Sequence, residues 1–125
     1  MVVYLHWGTE TQDCPNPTQP ALATILTRAG ADIVVGTHAH VQLGAGYRGQ
    51  AFVDYGLGNL AFYDNAPPES SSGVLDVTVT GHRVEGYSWK PATLSGGLPT
   101  ALQGAAADAA TKRWDGLRAC TDLTR

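Results

Sequence analysis

Asp32-Ile33-Val34-Val35-Gly36-Thr37-His38-Ala39-His40 decides how the rest of this 125-residue chain is read. Its apolar residues run continuously instead of alternating, which is the pattern of a strand covered on both faces. Two histidines follow directly. Side chains two apart in extended backbone point the same way, so two imidazoles leaving such a strand can converge on one ion or on two close ions. Gly36 is expected to let the backbone turn sharply as it leaves the sheet. Alone, the H-x-H pattern is ambiguous, because a pair of ordinary loop histidines gives the same letters.

Upstream, Val2 to Leu5 is a short apolar run that reads as a buried strand, delivering His6 and Trp7 at its end. Gly8 to Pro17 is rich in turn formers. Thr18 then reads as an N-cap and Pro20 falls in the first helical turn, where its missing N–H costs nothing. Leu22, Ile25, Leu26 and Ala29 follow helical spacing, and Gly30 is the expected stop. Strand, helix and strand in succession predict an α/β fold.

Downstream, Ala45 to Gln50 reads as turn-forming, with Gly46 and Gly49 flanking Tyr47 and Arg48. Ala51 to Tyr55 is a third strand, running into the tight loop Gly56-Leu57-Gly58-Asn59. Asp64 to Ser72 reads as a loop. Leu75, Val77 and Val79 then alternate with polar residues, the mark of a half-exposed strand. Gly81-His82 suits a two-residue hairpin turn, and Val84 to Trp89 is the returning partner. Pro91 to Pro99 reads as a connection. Leu102, Ala106, Ala110, Trp114 and Leu117 share one face of a final helix, which Gly104 weakens.

The strand ends gather the chemistry. In a parallel or mixed sheet, ligand sites collect at the C-terminal ends of strands. His6, His38 and His40 would line one such rim, a donor set that suits manganese, iron or zinc. Glu10 is placed to orient an imidazole, or is an ordinary exposed carboxylate. Trp7 either walls the pocket or packs in the core. Asn59 either bonds a site group or satisfies local backbone. His82, in the hairpin turn, is read as solvated and outside the site.

Charged residues make up 15% and apolar residues 43% of the chain, a globular composition; disorder would need more charge and less apolar content. The net charge of −3, with eight scattered Lys and Arg, argues against a nucleic-acid surface. No apolar run is long enough to span a membrane, and no signal-peptide pattern opens the chain. Cys14 and Cys120 are not in a C-x-x-C pair, so a Cys-based zinc knuckle is excluded; two thiols or one disulfide stay open.

His6-Trp7-Gly8 with Glu10, then Ala29-Gly30-Ala31-Asp32 before Gly36-Thr37-His38-Ala39-His40-Val41, then Tyr55-Gly56-Leu57-Gly58-Asn59 occur in that order. Together these blocks resemble the C-terminal half of the CapA family of poly-γ-glutamate capsule biosynthesis proteins, which is similar to calcineurin-like metallophosphoesterases. The resemblance covers roughly residues 2–79. It implies the C-terminal half of a layered α/β/β/α sandwich, present as one partial domain: 1–64 the metal-site half with the βαβ unit, 65–125 a hairpin plus helix. It also implies that His6, His38 and His40 are metal ligands, with two ions in a full-length protein. The partner would be an anionic polymer or phosphoester substrate, with membrane capsule-synthesis subunits also possible partners, and the location the cell envelope or outside it. An exported protein meets an oxidising environment, which favours a Cys14–Cys120 disulfide.

The resemblance also sets the limits of this reading. A two-metal hydrolase needs a bridging carboxylate, and the blocks expected to supply one lie in the other half of the family fold. Asp13, Asp54 and Asp64 are candidates here only by default. The expectation is therefore a fragment with an incomplete site and an open sheet edge. The competing expectation is a non-catalytic envelope module in which the histidines serve structure. An amidohydrolase barrel, which also carries H-x-H after a strand, needs about 250 residues and does not fit.

Overall fold

The computed structural model describes residues 1–63 and 66–125. Asp64 and the division expected at 64–65 lie outside the described residues. The first strand, β1 (Val2–Trp7), is followed by helix α1 (Thr18–Arg28) and strand β2 (Ile33–His38). β2 pairs parallel to β1, in register from Val2 opposite Ile33 to Trp7 opposite His38. Strands β3 (Ala45–Arg48) and β4 (Ala51–Asp54) form a hairpin, and β4 docks parallel on the free side of β2. The sheet order is β1-β2-β4-β3.

The second sheet is antiparallel, with β5 (Ser71–Thr80), β6 (Arg83–Ser95) and β7 (Leu98–Ala101) in that order. Gly81 and His82 form the two-residue turn between β5 and β6, with Thr80 opposite Arg83. Helix α2 (Gly104–Gly116) and a short 3-10 turn (Leu117–Cys120) close the chain. Among the described residues no helix is long and apolar enough to cross a membrane.

Two apolar layers hold this arrangement together. One lies between the first sheet and α1, where Ala23, Val34, Val53 and Tyr55 are fully buried. The other lies between the sheets, where Ile33 and Phe52 meet Val84, Trp89 and the α2 residue Trp114. Each fully buried Val or Phe contributes about 1.5–3 kcal/mol. A bulge near Thr78/Val79 shifts the register of β6, so that Val84, Tyr87 and Trp89 all join the inter-sheet cluster despite the odd spacing of the first two.

The structure corrects several expectations. β1 is an edge strand with alternating burial, not the buried strand expected: Val3, Leu5 and Trp7 pack toward α1, while Val2, Tyr4 and His6 are exposed. Ala45 to Arg48 is a strand, with only Gly49-Gln50 as the turn. Gly46 belongs there because a Cβ would stand 2.3 Å from the Thr124 carbonyl, so the C-terminal tail covers this edge. β6 continues through Pro91 to Ser95, and Gly96-Gly97 turn it into β7. In α2 only Trp114 is buried; Leu102 precedes the helix, and Ala106 is exposed.

Gly36 also has a different role from the one expected. It lies inside β2, and a Cβ there would meet the Trp7 indole nitrogen at 2.0 Å and the Tyr55 carbonyl oxygen at 2.3 Å. The glycine makes room for the indole. Its Nε1–H donates to that same carbonyl at 3.0 Å. Gly36→Ala is expected to lower stability by about 3 kcal/mol, the upper range for forcing a methyl into a packed site. A urea melt checks this; a change under about 1 kcal/mol would mean that β1 can shift to admit the methyl.

Candidate functional site

His6 and His38 sit on neighbouring parallel strands, with ring centroids 4.5 Å apart. His38 and His40 rings are 6.4 Å apart and tilted. The route to this proximity is not the expected one. The backbone is not extended from His38 to His40; φ is +94° at His38 and +60° at His40, so both residues occupy left-handed backbone. That region is costly for a side chain with a Cβ and is held only where the surroundings impose it. Thr11 helps impose it: its N–H donates to the Ala39 carbonyl at 2.9 Å, pinning the residue between the two histidines.

Asn59 completes the rim from the β4 side of β2. It follows β4 in the glycine loop and is buried. Its Nδ2 donates to the Glu69 carbonyl at 3.2 Å, and its Oδ1 lies 2.8 Å from Nδ1 of His40. A carbonyl can only accept, so the amide orientation is fixed and Oδ1 faces the imidazole. Neutral His40 then carries its proton on Nδ1, and Nε2 keeps its lone pair. The far side of that ring packs on Phe62, with centroids 4.6 Å apart. Phe62 was not singled out by the sequence, where it is one apolar residue in a loop.

The other candidates separate. Trp7 is turned into the core against Tyr55 and does not wall the rim. Glu10 lies exposed in a turn of the loop after β1; among the described residues, Asn59 is the side chain that orients an imidazole. Asp13 is exposed, whereas Asp54 is fully buried, with Oδ1 accepting the Gly56 N–H at 2.9 Å. His82 is exposed in its turn beside Asp32, at the start of β2 and so at the end away from His38. Cys14 and Cys120 are disulfide-bonded, tying the loop after β1 to the 3-10 turn.

Gln19 was missed by the sequence reading. It is almost completely buried in the first turn of α1, where its Nε2 donates to the Tyr55 carbonyl and its Oε1 accepts the Asn16 N–H. A Cβ on Gly8 would stand 3.3 Å from this amide, so Gln19 also shapes the chain as it leaves His6 and Trp7. The available signal was its position four residues before Ala23, on the buried face of the helix.

The donor chemistry of the rim fits a divalent ion: three imidazoles, one held in a defined tautomer by an amide oxygen. Among the described residues no group of three or more His, Cys, Asp or Glu side chains is gathered closely enough to enclose one.

These features lie within a stretch that known proteins share. The family model described as bacterial capsule synthesis protein PGA_cap matches residues 1–64. A capsule biosynthesis protein CapA from Bacillus anthracis is 45% identical over 62 residues, which are 50% of this chain and 15% of that protein. A PGA biosynthesis protein CapA from Bacillus subtilis (strain 168) is 42% identical over 62 residues, 50% of this chain and 16% of that protein. The chain thus aligns with less than a fifth of the length of either relative. The matched family model spans β1 to the Asn59 loop and so includes all three rim histidines: the chain belongs to the bacterial capsule synthesis protein family, PGA_cap.

Proposed function

We propose that this chain acts in capsule synthesis or export at the cell envelope, and that its histidine rim is part of a metal-dependent, phosphoesterase-like site. Its relatives are named for capsule and PGA biosynthesis, which supports the first part. The observation that carries the second is the Glu69–Asn59–His40 chain. It uses a buried amide to hold one imidazole with its Nδ1–H toward Asn59 Oδ1, so that Nε2 is the nitrogen turned to a ligand. Metal-ligating histidines are oriented in this way by a partner on their other nitrogen.

In this reading His6, His38 and His40 hold a divalent ion of manganese, iron or zinc. When bound, such an ion supplies Lewis-acid polarisation of a phosphoryl oxygen and activation of a water. The chain's own residues do the positioning. Asn59 fixes the His40 tautomer, Phe62 holds the plane of that ring, and Thr11 and the left-handed backbone set its place beside His38. In this reading a carboxylate that bridges a second ion comes from the other half of the family fold. The substrate class is a phosphoester or an anionic polymer.

A second reading is a non-catalytic envelope module. In it the three histidines serve structure, and the domain binds polymer or partner subunits of the capsule machinery. Metal counting separates the two. The tag-free chain, dialysed against zinc or manganese, is expected to retain about one tight ion. His38→Ala with His40→Ala is expected to abolish retention, Asn59→Ala to weaken affinity about 10–100-fold, and His82→Ala to change nothing. A folded chain that retains no ion, or an equal loss from His82→Ala, would exclude the metal site and leave the envelope module.

A further inference from the structure

The Cys14–Cys120 disulfide joins two segments that both bear on the histidine rim. Cys14 lies in the loop after β1, where the Thr11 N–H holds the Ala39 carbonyl, between His38 and His40, at 2.9 Å. Cys120 closes the 3-10 turn, which lies directly on the segment that follows His40: a Cβ on Gly44 would stand 2.6 Å from the Leu117 carbonyl. The left-handed backbone at His38 and His40 is thus supported from two directions, and one covalent bond ties the supports together. Both cysteines are exposed. Exposed disulfides are the labile, regulatory kind, in contrast to shielded structural ones. The C-terminus is also fastened without this bond, by Thr124 on Tyr47 and Asp122 on Arg48. Opening the bond therefore frees the loop after β1 while the tail keeps its place on β3.

We infer that this disulfide is a redox switch on the histidine rim. Closed, it keeps Thr11 on Ala39 and so holds His38 and His40 in place. Opened by a dithiol reductant, it releases the loop, Thr11 lets go of Ala39, and the costly left-handed backbone relaxes. His40 then no longer meets Asn59 Oδ1 in a single tautomer. The exchange balances. A thiolate of the reductant attacks one sulfur of the bond, the S–S bond breaks, and a mixed disulfide forms. The second thiol of the reductant displaces the protein sulfur. The products are two protein thiols and the disulfide of the reductant, so two electrons and two protons pass to the protein. Loosening of the rim stands on the geometry alone; loss of metal affinity on opening rests on the metal-site reading above.

The test uses the whole 125-residue chain in three states: oxidised, reduced with dithiothreitol in the cold, and reoxidised. Near-UV circular dichroism reports the fold, amide exchange reports Thr11, and the nitrogen-15 shifts of the imidazoles report the His40 tautomer in the metal-free protein. Reduction is expected to leave the fold in place, to speed Thr11 exchange by about tenfold or more, and to mix the His40 tautomers. Zinc affinity should fall by about tenfold or more, and reoxidation should restore all three readings. Cys14→Ser with Cys120→Ser should match the reduced chain. Val84→Ala, a cavity between the sheets at the end away from His38, should lower the melting temperature without changing the His40 shifts. Unchanged Thr11 exchange and His40 shifts in a reduced, folded chain would overturn the inference. So would the same shift changes in Val84→Ala, which would make the effect general loosening. Unfolding on reduction in the cold would also overturn it, because the bond would then hold the fold and not the rim. An oxidised chain that binds no zinc would remove the metal-site reading and leave exchange and tautomer to decide the switch.

Discussion

Replacing Cys14 and Cys120 together with serine is expected to lower stability by about 4–5 kcal/mol. The two residues are 106 apart in sequence, so the bond closes almost the whole chain into a loop. In the chain-entropy model a loop of that length is worth about 4.7 kcal/mol, mostly by limiting the unfolded ensemble. A domain of this size has a total stability of about 5–15 kcal/mol, so the change removes a large share of it. The melting temperature should fall by roughly 15–20 °C. A dithiol reductant should move the native protein to the same place and leave the double variant where it is.

That bond is not the only fastener of the C-terminus. Thr124 exchanges backbone hydrogen bonds with Tyr47, at 2.8 and 2.9 Å. Asp122 pairs with Arg48 and accepts the Tyr55 hydroxyl at 3.0 Å. Burial pushes that phenol up to about 12, so it stays a donor across the working range. These contacts should keep the tail on β3 in the reduced folded protein. The effect to look for near the site is therefore local: faster amide exchange in the loop after β1, where Thr11 holds Ala39. A loss under about 1 kcal/mol in the double variant would mean that the unfolded chain is already compact enough to keep these ends together.

How much of this could be read in the sequence follows from how local each signal is. The β1-α1-β2 succession and the Gly81-His82 hairpin announce themselves through continuous apolar runs, helical spacing and a two-residue turn. The rim histidines are legible because they end strands. β3 was hidden because two of its residues are small and Gly46 is there for a contact with Thr124, far along the chain. β7 was hidden behind Pro91 and Pro99, which pass for loop but sit in strands that have other hydrogen bonds to make. The edge position of β1 could not be read either: a four-residue apolar run looks the same at the centre or the margin of a sheet, and only the strand order tells them apart. The Asn59–His40 contact was one of two stated alternatives. Settling it required knowing that Glu69 takes the amide nitrogen.

Between pH 4 and 7 the native chain is expected to lose up to about 4 kcal/mol of stability that an Asp54→Asn variant does not lose. Asp54 closes β4, two residues beyond Phe52, and its side chain has no solvent exposure. Oδ1 accepts the Gly56 N–H, but Oδ2 has no partner among the described residues. Burial without a compensating charge raises the carboxyl from its ordinary 3.8 to about 7. The sign follows from proton counting. Below 3.8 both folded and unfolded chains hold the proton, and the group has no effect. Between 3.8 and 7 the unfolded chain has released its proton while the folded chain keeps it, so each rise in pH favours unfolding. Above 7 both are ionised and the penalty is constant. A shift of this size corresponds to about 4 kcal/mol at the plateau. Asparagine keeps the oxygen that caps Gly56 and does not titrate, so any cost of its buried NH2 is the same at every pH. Carboxylates held below their usual range act lower on the scale and cancel in the difference; Asp122, kept low by Arg48 and Tyr55 despite partial burial, is one. Urea melts of both proteins from pH 4 to 8 give the test. Curves that converge by several kcal/mol toward pH 4 identify a buried neutral acid, whereas parallel curves would show that Asp54 carries the same charge folded and unfolded.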